Sequence, residues 1–136
     1  MNLRPLIALF LAFGLLFAVD LSIAQTAQYG QVQNGAGQVT LTRWALQHIM
    51  ARHWPDSTTA TGAGKFQAGI TEASLRDMIN EAVRNGRARH NTHGRPGTIY
   101  EYDFQRQIGT TIDGGPASRL RVVVSNRNEV ITAFPF

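Results

Sequence analysis

Apolar positions change their spacing several times along this chain, and each change marks a different kind of segment. From Leu6 to Val19 they run together without interruption. Around Leu41, Ala45, Leu46 and Ile49 they fall on one arc at about 100° per residue, with Trp44 and Met50 at its edges. That spacing predicts a helix from Thr42 to His53, capped by Thr40 or Thr42. Trp54-Pro55-Asp56 ends it, because a residue before proline avoids the helical region. Leu75, Met78, Ile79, Ala82 and Val83 repeat at i, i+3, i+4, i+7, i+8 and predict a second helix with one apolar face. Thr71 is its N-cap, Ile70 and Leu75 are placed as a hydrophobic staple, and Gly86 closes it.

Beyond Gly86 the period drops to two. Strands are predicted over Thr98 to Phe104, Gln107 to Ile112, Arg119 to Ser125 and Val130 to Phe134. Gly114-Gly115-Pro116 and Asn126-Arg127-Asn128 are turns short enough for antiparallel hairpins. The expected fold is α+β, with two N-terminal helices packed on an antiparallel sheet of about four strands. The other face of that sheet is free to form a substrate surface.

The segments between these elements are polar. Arg4 followed by the Leu6–Val19 run and then Ser22-Ile23-Ala24 reads as a signal peptide over residues 1–24, cleaved before Gln25. The run falls short of the roughly 20 residues needed to span a bilayer. Residues 25–40 are a polar, Gly/Gln-rich lead-in, and residues 41–136 form one domain. The expectation is a secreted or periplasmic bacterial protein, monomeric and with no integral membrane association once the signal is removed.

Composition narrows the partners. Thirteen Lys and Arg stand against nine Asp and Glu, for a formal charge of +4, which favours acidic partners such as RNA ahead of anionic envelope surfaces. No cysteine is present, so thiolate zinc sites are excluded and the domain holds together by packing.

Candidate chemistry concentrates on the first helix. His48-Ile-Met-Ala-Arg-His53 is followed by Gly64-Lys65-Phe66. Two imidazoles can supply a general base and a general acid near neutral pH, and the cations nearby suit phosphate. Their i, i+5 spacing separates them by about 140° around the helix, too far to chelate one metal from one face. Both are expected near the borders of the apolar arc, on opposite flanks, in half-buried positions where an imidazole is held while its edge reaches a cleft. The plainer reading makes one a core histidine bonded to a carbonyl and the other a surface residue. The basic segment Arg87 to Gly97 carries Arg87, Arg89 and Arg95 for phosphate contact, and His90 and His93, a His-x-x-His pair without an evident third ligand. On the strands, Arg119, Arg121, Val123 and Ser125 share a face opposite Leu120, Val122 and Val124. Val130, Thr132 and Phe134 alternate with Ile131 and Ala133, and Thr132 could hold a phosphate oxygen. Tyr100, Tyr102 and Phe104 form an aromatic stripe, either core packing or a stacking surface for unpaired bases. Glu101 and Asp103 lie on the opposite face, as surface charges, as general bases or as orienters of a histidine.

The helix with His-Ile-x-x-x-His, the Gly-Lys-Phe, the amphipathic helix and a sheet ending Val-Ile-Thr-Ala-Phe-Pro together resemble the superfamily of barnase, EndoU and colicin-type toxin ribonucleases. The closest resemblance is to the C-terminal nuclease domains of bacterial polymorphic and contact-dependent-inhibition toxins, and it spans Leu41 to Phe136. It implies a metal-independent endoribonuclease without cofactor, in which the 2′-hydroxyl attacks the adjacent phosphate. The products would be a 2′,3′-cyclic phosphate and a 5′-hydroxyl. Carried over by position, His53 is catalytic with His48 as partner or orienter, and which of them is base and which acid stays open. Lys65 would stabilise transition-state charge, Arg121 and Thr132 would hold the scissile phosphate, and Tyr102 would orient base or ribose. A cognate immunity or inhibitor protein is the partner the resemblance implies besides RNA. The chain departs from the exported-toxin pattern in having its own signal peptide and no large delivery module. Delivery therefore stays open between a free secreted nuclease, a periplasmic enzyme and a detached toxin domain. The competing reading is a non-catalytic basic module that binds an anionic polymer or protein. It requires no common cleft for His48, His53, Lys65 and Thr132.

Overall fold

The structure, a computed structural model, describes residues 31–34, 37–59 and 62–136. Residues 1–24, read as a signal peptide, lie outside the described residues, as do residues 25–30 of the lead-in. The element order is β1 (Gln31–Asn34), β2 (Gly37–Thr40), α1 (Arg43–His53), β3 (Lys65–Phe66), α2 (Glu72–Asn85), β4 (Arg87–His90), β5 (Gly97–Asp103), β6 (Gly109–Thr110), β7 (Pro116–Ala117), β8 (Arg119–Ser125) and β9 (Val130–Pro135). The class is α+β with two helices and antiparallel sheets among the described residues.

Both helices form where the spacing places them. Thr42 caps α1, its hydroxyl accepting from the Ala45 N–H at 3.1 Å. Thr71 and Ser74 make a reciprocal capping box at the start of α2, satisfying donors that the first turn leaves without partners. The α2 stripe Leu75, Met78, Ile79, Ala82 and Val83 is buried against Tyr100, Leu120, Val122 and Val124 of the main sheet. Burying each large side chain there contributes about 1.5–3 kcal/mol. Ile79→Ala in this fully buried position costs about 2–5 kcal/mol.

Three expectations are corrected. First, the helices do not open the fold together: the β1–β2 hairpin precedes α1, and β3 separates α1 from α2. Second, Gln107 to Ile112 does not join the main sheet. Only Gly109–Thr110 pairs, in a small sheet of order β3-β6-β7. A left-handed Gln105 (φ 54°) turns the chain away after β5, and Gly109 passes so close to β3 that a Cβ would sit 2.1 Å from the Lys65 carbonyl oxygen. Third, the fourth strand of the main sheet, of order β4-β5-β8-β9, comes from the segment read as a basic loop. All four residues of β4 are exposed. An edge strand of Arg, Ala, Arg and His carries no apolar alternation, and its charges deter pairing with another chain.

The β8–β9 hairpin closes through Asn126-Arg127-Asn128, with Asn128 left-handed at φ 59°, a conformation asparagine tolerates. The Asn128 carbonyl accepts the Thr40 N–H at 2.7 Å, tying β2 to this turn. Past the turn, the register shifts between Val123↔Thr132 and Val124↔Val130, so Ile131 is the extra residue of a bulge. Val130 therefore faces the core with Ala133, at 3% and 0% exposure, and does not share a face with Thr132 and Phe134 as simple alternation suggests. The bulge thus sets which β9 side chains reach the open face.

Candidate functional site

Residues four apart form columns along a helix, and α1 carries two that matter. Ala45, Ile49 and His53 form the buried column. Beside it run Trp44, His48 and Arg52, half-buried to exposed. The periodicity that builds the core thus carries one imidazole inward, to 4% exposure, and leaves the other on the flank.

His53 is held from two sides. Its Nδ1 lies 3.0 Å from the Gly64 carbonyl oxygen. A carbonyl only accepts, so Nδ1 carries the proton and Nε2 of the neutral ring is left with a lone pair. Gly64 must be glycine there, because a Cβ would meet the Thr110 and Pro135 carbonyl oxygens at 2.0 and 2.4 Å. On its face, the ring stacks on Phe134 with centroids 5.2 Å apart. Burial lowers the His53 pKa. The Gly64 bond opposes that lowering, and the positive ends of His48, Arg52 and Lys65 add to it. The His48 pKa is also lowered, by burial and then by Arg52.

The second half of the site comes from the main sheet. The pairings Glu101↔Arg121 and Arg121↔Phe134, with Ile99↔Val123 and Val123↔Thr132, put Glu101, Arg121, Thr132 and Phe134 on the face away from α2. Arg89 of β4 reaches the same place. Glu101 accepts from Arg121 Nε at 2.8 Å and Arg89 at 3.1 Å, with Arg119 at 3.7 Å. Partial burial would raise the Glu101 pKa, but the hydrogen bonds and charges of Arg121 and Arg89 outweigh it and hold the carboxyl below its ordinary value. One carboxylate cannot neutralise three guanidiniums, so the face stays positive. Phe134 and Phe136 support these arginines: Arg121 lies 4.3 Å and Arg119 4.4 Å from the Phe136 ring centroid.

Two adjoining hollows open between α1 and this face. The larger, about 520 Å³, is lined by Trp44, His48, Arg89, Arg95, Arg121 and Thr132 among others. The second, about 460 Å³, is lined by His48, Arg52, His53, Gly62, Thr132 and Phe134. His48, Thr132 and Phe134 belong to both. The Thr132 hydroxyl is shielded from solvent yet has no hydrogen-bond partner. A buried hydroxyl left without a partner costs stability, and this one belongs to a residue that lines both hollows.

Of the residues singled out from the sequence, His48, His53, Arg89, Arg95, Arg121 and Thr132 are brought together. Lys65 is not among the lining residues of either hollow. Its ammonium donates to the Ser57 carbonyl, and the side chain borders a separate hollow with Thr58, Thr59 and Thr110. It acts on His53 only through its charge. Arg87 points to the cleft side of β4, opposite Glu101 in register, but lines neither hollow. Tyr102 stands on the other face of the sheet, edge-on to Phe104 at 4.9 Å and bonded to Glu81, which raises its pKa. The aromatic stripe is core packing, and Tyr102 is out of reach of His53 through the sheet. His90 is exposed on β4, and His93 bonds Thr92 at 3.0 Å at the rim of the larger hollow. Among the described residues no three His, Asp or Glu side chains converge on a point where a metal ion could sit.

Three roles were not read from the sequence: Glu101, there a surface charge, a general base or an orienter of a histidine, is the hub of the arginines; Phe134 is the platform under His53; and Phe136 supports Arg119 and Arg121. Cross-strand register would have found Glu101, since Glu101 and Arg121 sit at matching positions of adjacent strands. Nothing in the spacing alone pairs Phe134 with His53. Among the described residues no helix is long and apolar enough to cross a membrane. Compared with models of known protein families and with curated protein sequences, the chain matches none.

Proposed function

We propose that this protein is a metal-independent endoribonuclease that cleaves by attack of the 2′-hydroxyl on the adjacent phosphate. The observation that carries the reading is the pair of adjoining hollows that share His48, Thr132 and Phe134, with His53 and Arg52 lining one and Arg89, Arg95 and Arg121 lining the other. A χ1 rotation that turns the shielded Thr132 hydroxyl toward the hollows lets a phosphate oxygen supply the acceptor it lacks. Of the four groups that a non-catalytic surface would have no need to gather, His48, His53 and Thr132 border one hollow and Lys65 borders another.

His53, neutral and with its proton fixed on Nδ1, uses Nε2 to take the proton from the 2′-hydroxyl. The O2′–P bond forms as the P–O5′ bond breaks, and His48 in its protonated form gives the leaving O5′ a proton. Burial and cationic neighbours depress both imidazoles in the free protein, but a phosphate bound between them raises both by favouring the charged form. That lets His48 hold the proton it must deliver. Arg121, aimed by Glu101 and seated on Phe136, and the Thr132 hydroxyl stabilise charge on the non-bridging oxygens. Arg89 and Arg95 extend the positive path for neighbouring phosphates, and Lys65 adds long-range charge. An exported toxin role with a cognate inhibitor is the setting we propose for this activity, on the resemblance and the +4 charge alone.

End-group analysis tests the chemistry. A ribonucleotide dimer incubated with the protein should yield a 2′,3′-cyclic phosphate and a free 5′-hydroxyl, and the matching 2′-deoxy dimer should stay intact. Products with a 5′-phosphate, or cleavage of the deoxy dimer, would overturn the mechanism.

A further inference from the structure

Trp44 is 58% exposed, and its indole is not an isolated surface apolar group. It stacks on His48 with ring centroids 5.5 Å apart and planes 16° from parallel. The Arg95 guanidinium lies over the ring, 5.9 Å from its centroid. All three line the larger hollow beside Arg89, Arg121 and Thr132. An indole on the first turn of α1 could have been replaced by a polar residue without touching the core, since the buried positions there are Ala45 and Leu46. Instead a large flat aromatic faces the cleft, stacked on a half-buried imidazole that lines the same hollow.

We infer that Trp44 is a nucleobase-stacking subsite, with Arg95 as its displaceable cover. This rests on the proposed ribonuclease reading and says which part of the RNA the larger hollow takes. The reasoning is geometric. Guanidiniums at Arg89 and Arg121 fix phosphates, and a nucleotide whose phosphate lies there places its base within reach of a flat surface at the rim. A guanidinium over an indole is itself a flat, cationic group held by the ring's electrons. A base that takes its place keeps the stacking, and Arg95 is released to pair with a phosphate oxygen. Stacking requires an unpaired base, so the substrate class is single-stranded RNA. Because every base has a flat face, the subsite gives affinity and positioning with little sequence preference.

The test separates base binding from cleavage by using a single-stranded oligodeoxynucleotide, which has no 2′-hydroxyl to react. In a Trp54→Phe background, Trp44 is the remaining described tryptophan, and its fluorescence should be quenched on titration. Trp44→Ala should weaken binding of the same oligonucleotide about 10- to 100-fold, the range for losing one base–aromatic stack. Trp44→Phe should retain most of the affinity. The salt dependence of binding should be the same in Trp44→Ala and wild type, because no phosphate contact is lost. Binding within twofold of wild type in Trp44→Ala, or no quenching on saturation, would overturn the inference. If RNA is cleaved but Trp44→Ala binds normally, the subsite fails and the ribonuclease reading stands. If Trp44 is quenched as expected but RNA is never cleaved, the base subsite stands and the catalytic reading fails.

Discussion

Replacing Thr132 with valine should make the protein more stable and less active at once. The Oγ1 atom is shut off from solvent and has no partner, so the folded protein carries a desolvation cost that the unfolded chain does not. Mutational experience puts an unsatisfied buried polar group at about 1–3 kcal/mol. Valine has the shape of threonine, and β9 is a strand position where a β-branched residue is at home, so neither cavity nor propensity works against it. Allowing for partial relaxation around the hydroxyl, we expect a gain of about 1 kcal/mol. In a domain of this size that raises Tm by about 4–8 °C. Loss of one donor to the charge that develops in the transition state should reduce kcat about 100- to 1000-fold. Thermal melts and urea titrations of the two proteins, together with initial rates on a ribonucleotide dimer, give both numbers. A variant less stable than wild type would mean that the hydroxyl is satisfied in the folded state. A more stable variant with full activity would remove Thr132 from the site and leave its burial unexplained.

The other predictions address the supports of the site. Gly64→Ala places a methyl 2.0 Å from the Thr110 carbonyl oxygen; it should cost about 3 kcal/mol in chemical denaturation and reduce activity through displacement of the His53 partner. Unchanged stability and rate would refute that account of the turn. Glu101→Gln removes the charge that gathers Arg89, Arg119 and Arg121, and because those arginines are partly exposed the loss should be about 1–2 kcal/mol, below that of a fully buried pair. Its activity should fall with KM little altered, as Arg121 loses its aim, and a large change in KM alone would contradict this. For pH, the His53 and His48 pKa values are lowered on folding from about 6.5, so the unfolded chain binds more protons just below that value. Stability should therefore fall as pH drops through about 6.5 toward the folded-state values, then level off, and urea titrations of wild type against His53→Gln should show a shallower slope in the variant.

How much of this was legible in the chain differs by element. Helix α2 was readable almost to the residue because its stripe, cap and staple all act locally. Helix α1 was readable in extent, but its periodicity puts both histidines at the borders of the apolar arc. The i, i+4 column Ala45, Ile49 and His53 instead carries His53 inside and leaves only His48 on the flank. Strand β4 was not, since an edge strand made of Arg87, Ala88, Arg89 and His90 is held by pairing with β5 and not by apolar burial. The facing of Val130 was misjudged because a bulge at Ile131 depends on the partner strand, and periodicity on one strand cannot reveal it. The side of the sheet that Tyr102 takes stayed open for a related reason. An alternating strand shows which residues share a face but not which face the helix covers. The Glu101 hub required cross-strand register, which is a tertiary property. His48, His53, Arg121 and Thr132 could be named from the sequence because their residue types suit phosphate chemistry. Lys65 could be named for the same reason, yet its ammonium bonds the Ser57 carbonyl.

The central claim is catalysis by His53 without a metal. The most direct measurement is the rate of cleavage of single-stranded RNA by the purified protein in excess EDTA, wild type beside His53→Ala. The account predicts that cleavage survives chelation and falls by at least about 100-fold in the variant, the lower range for loss of a positioned general base. Cleavage abolished by EDTA, or equal rates for the two proteins, would contradict it.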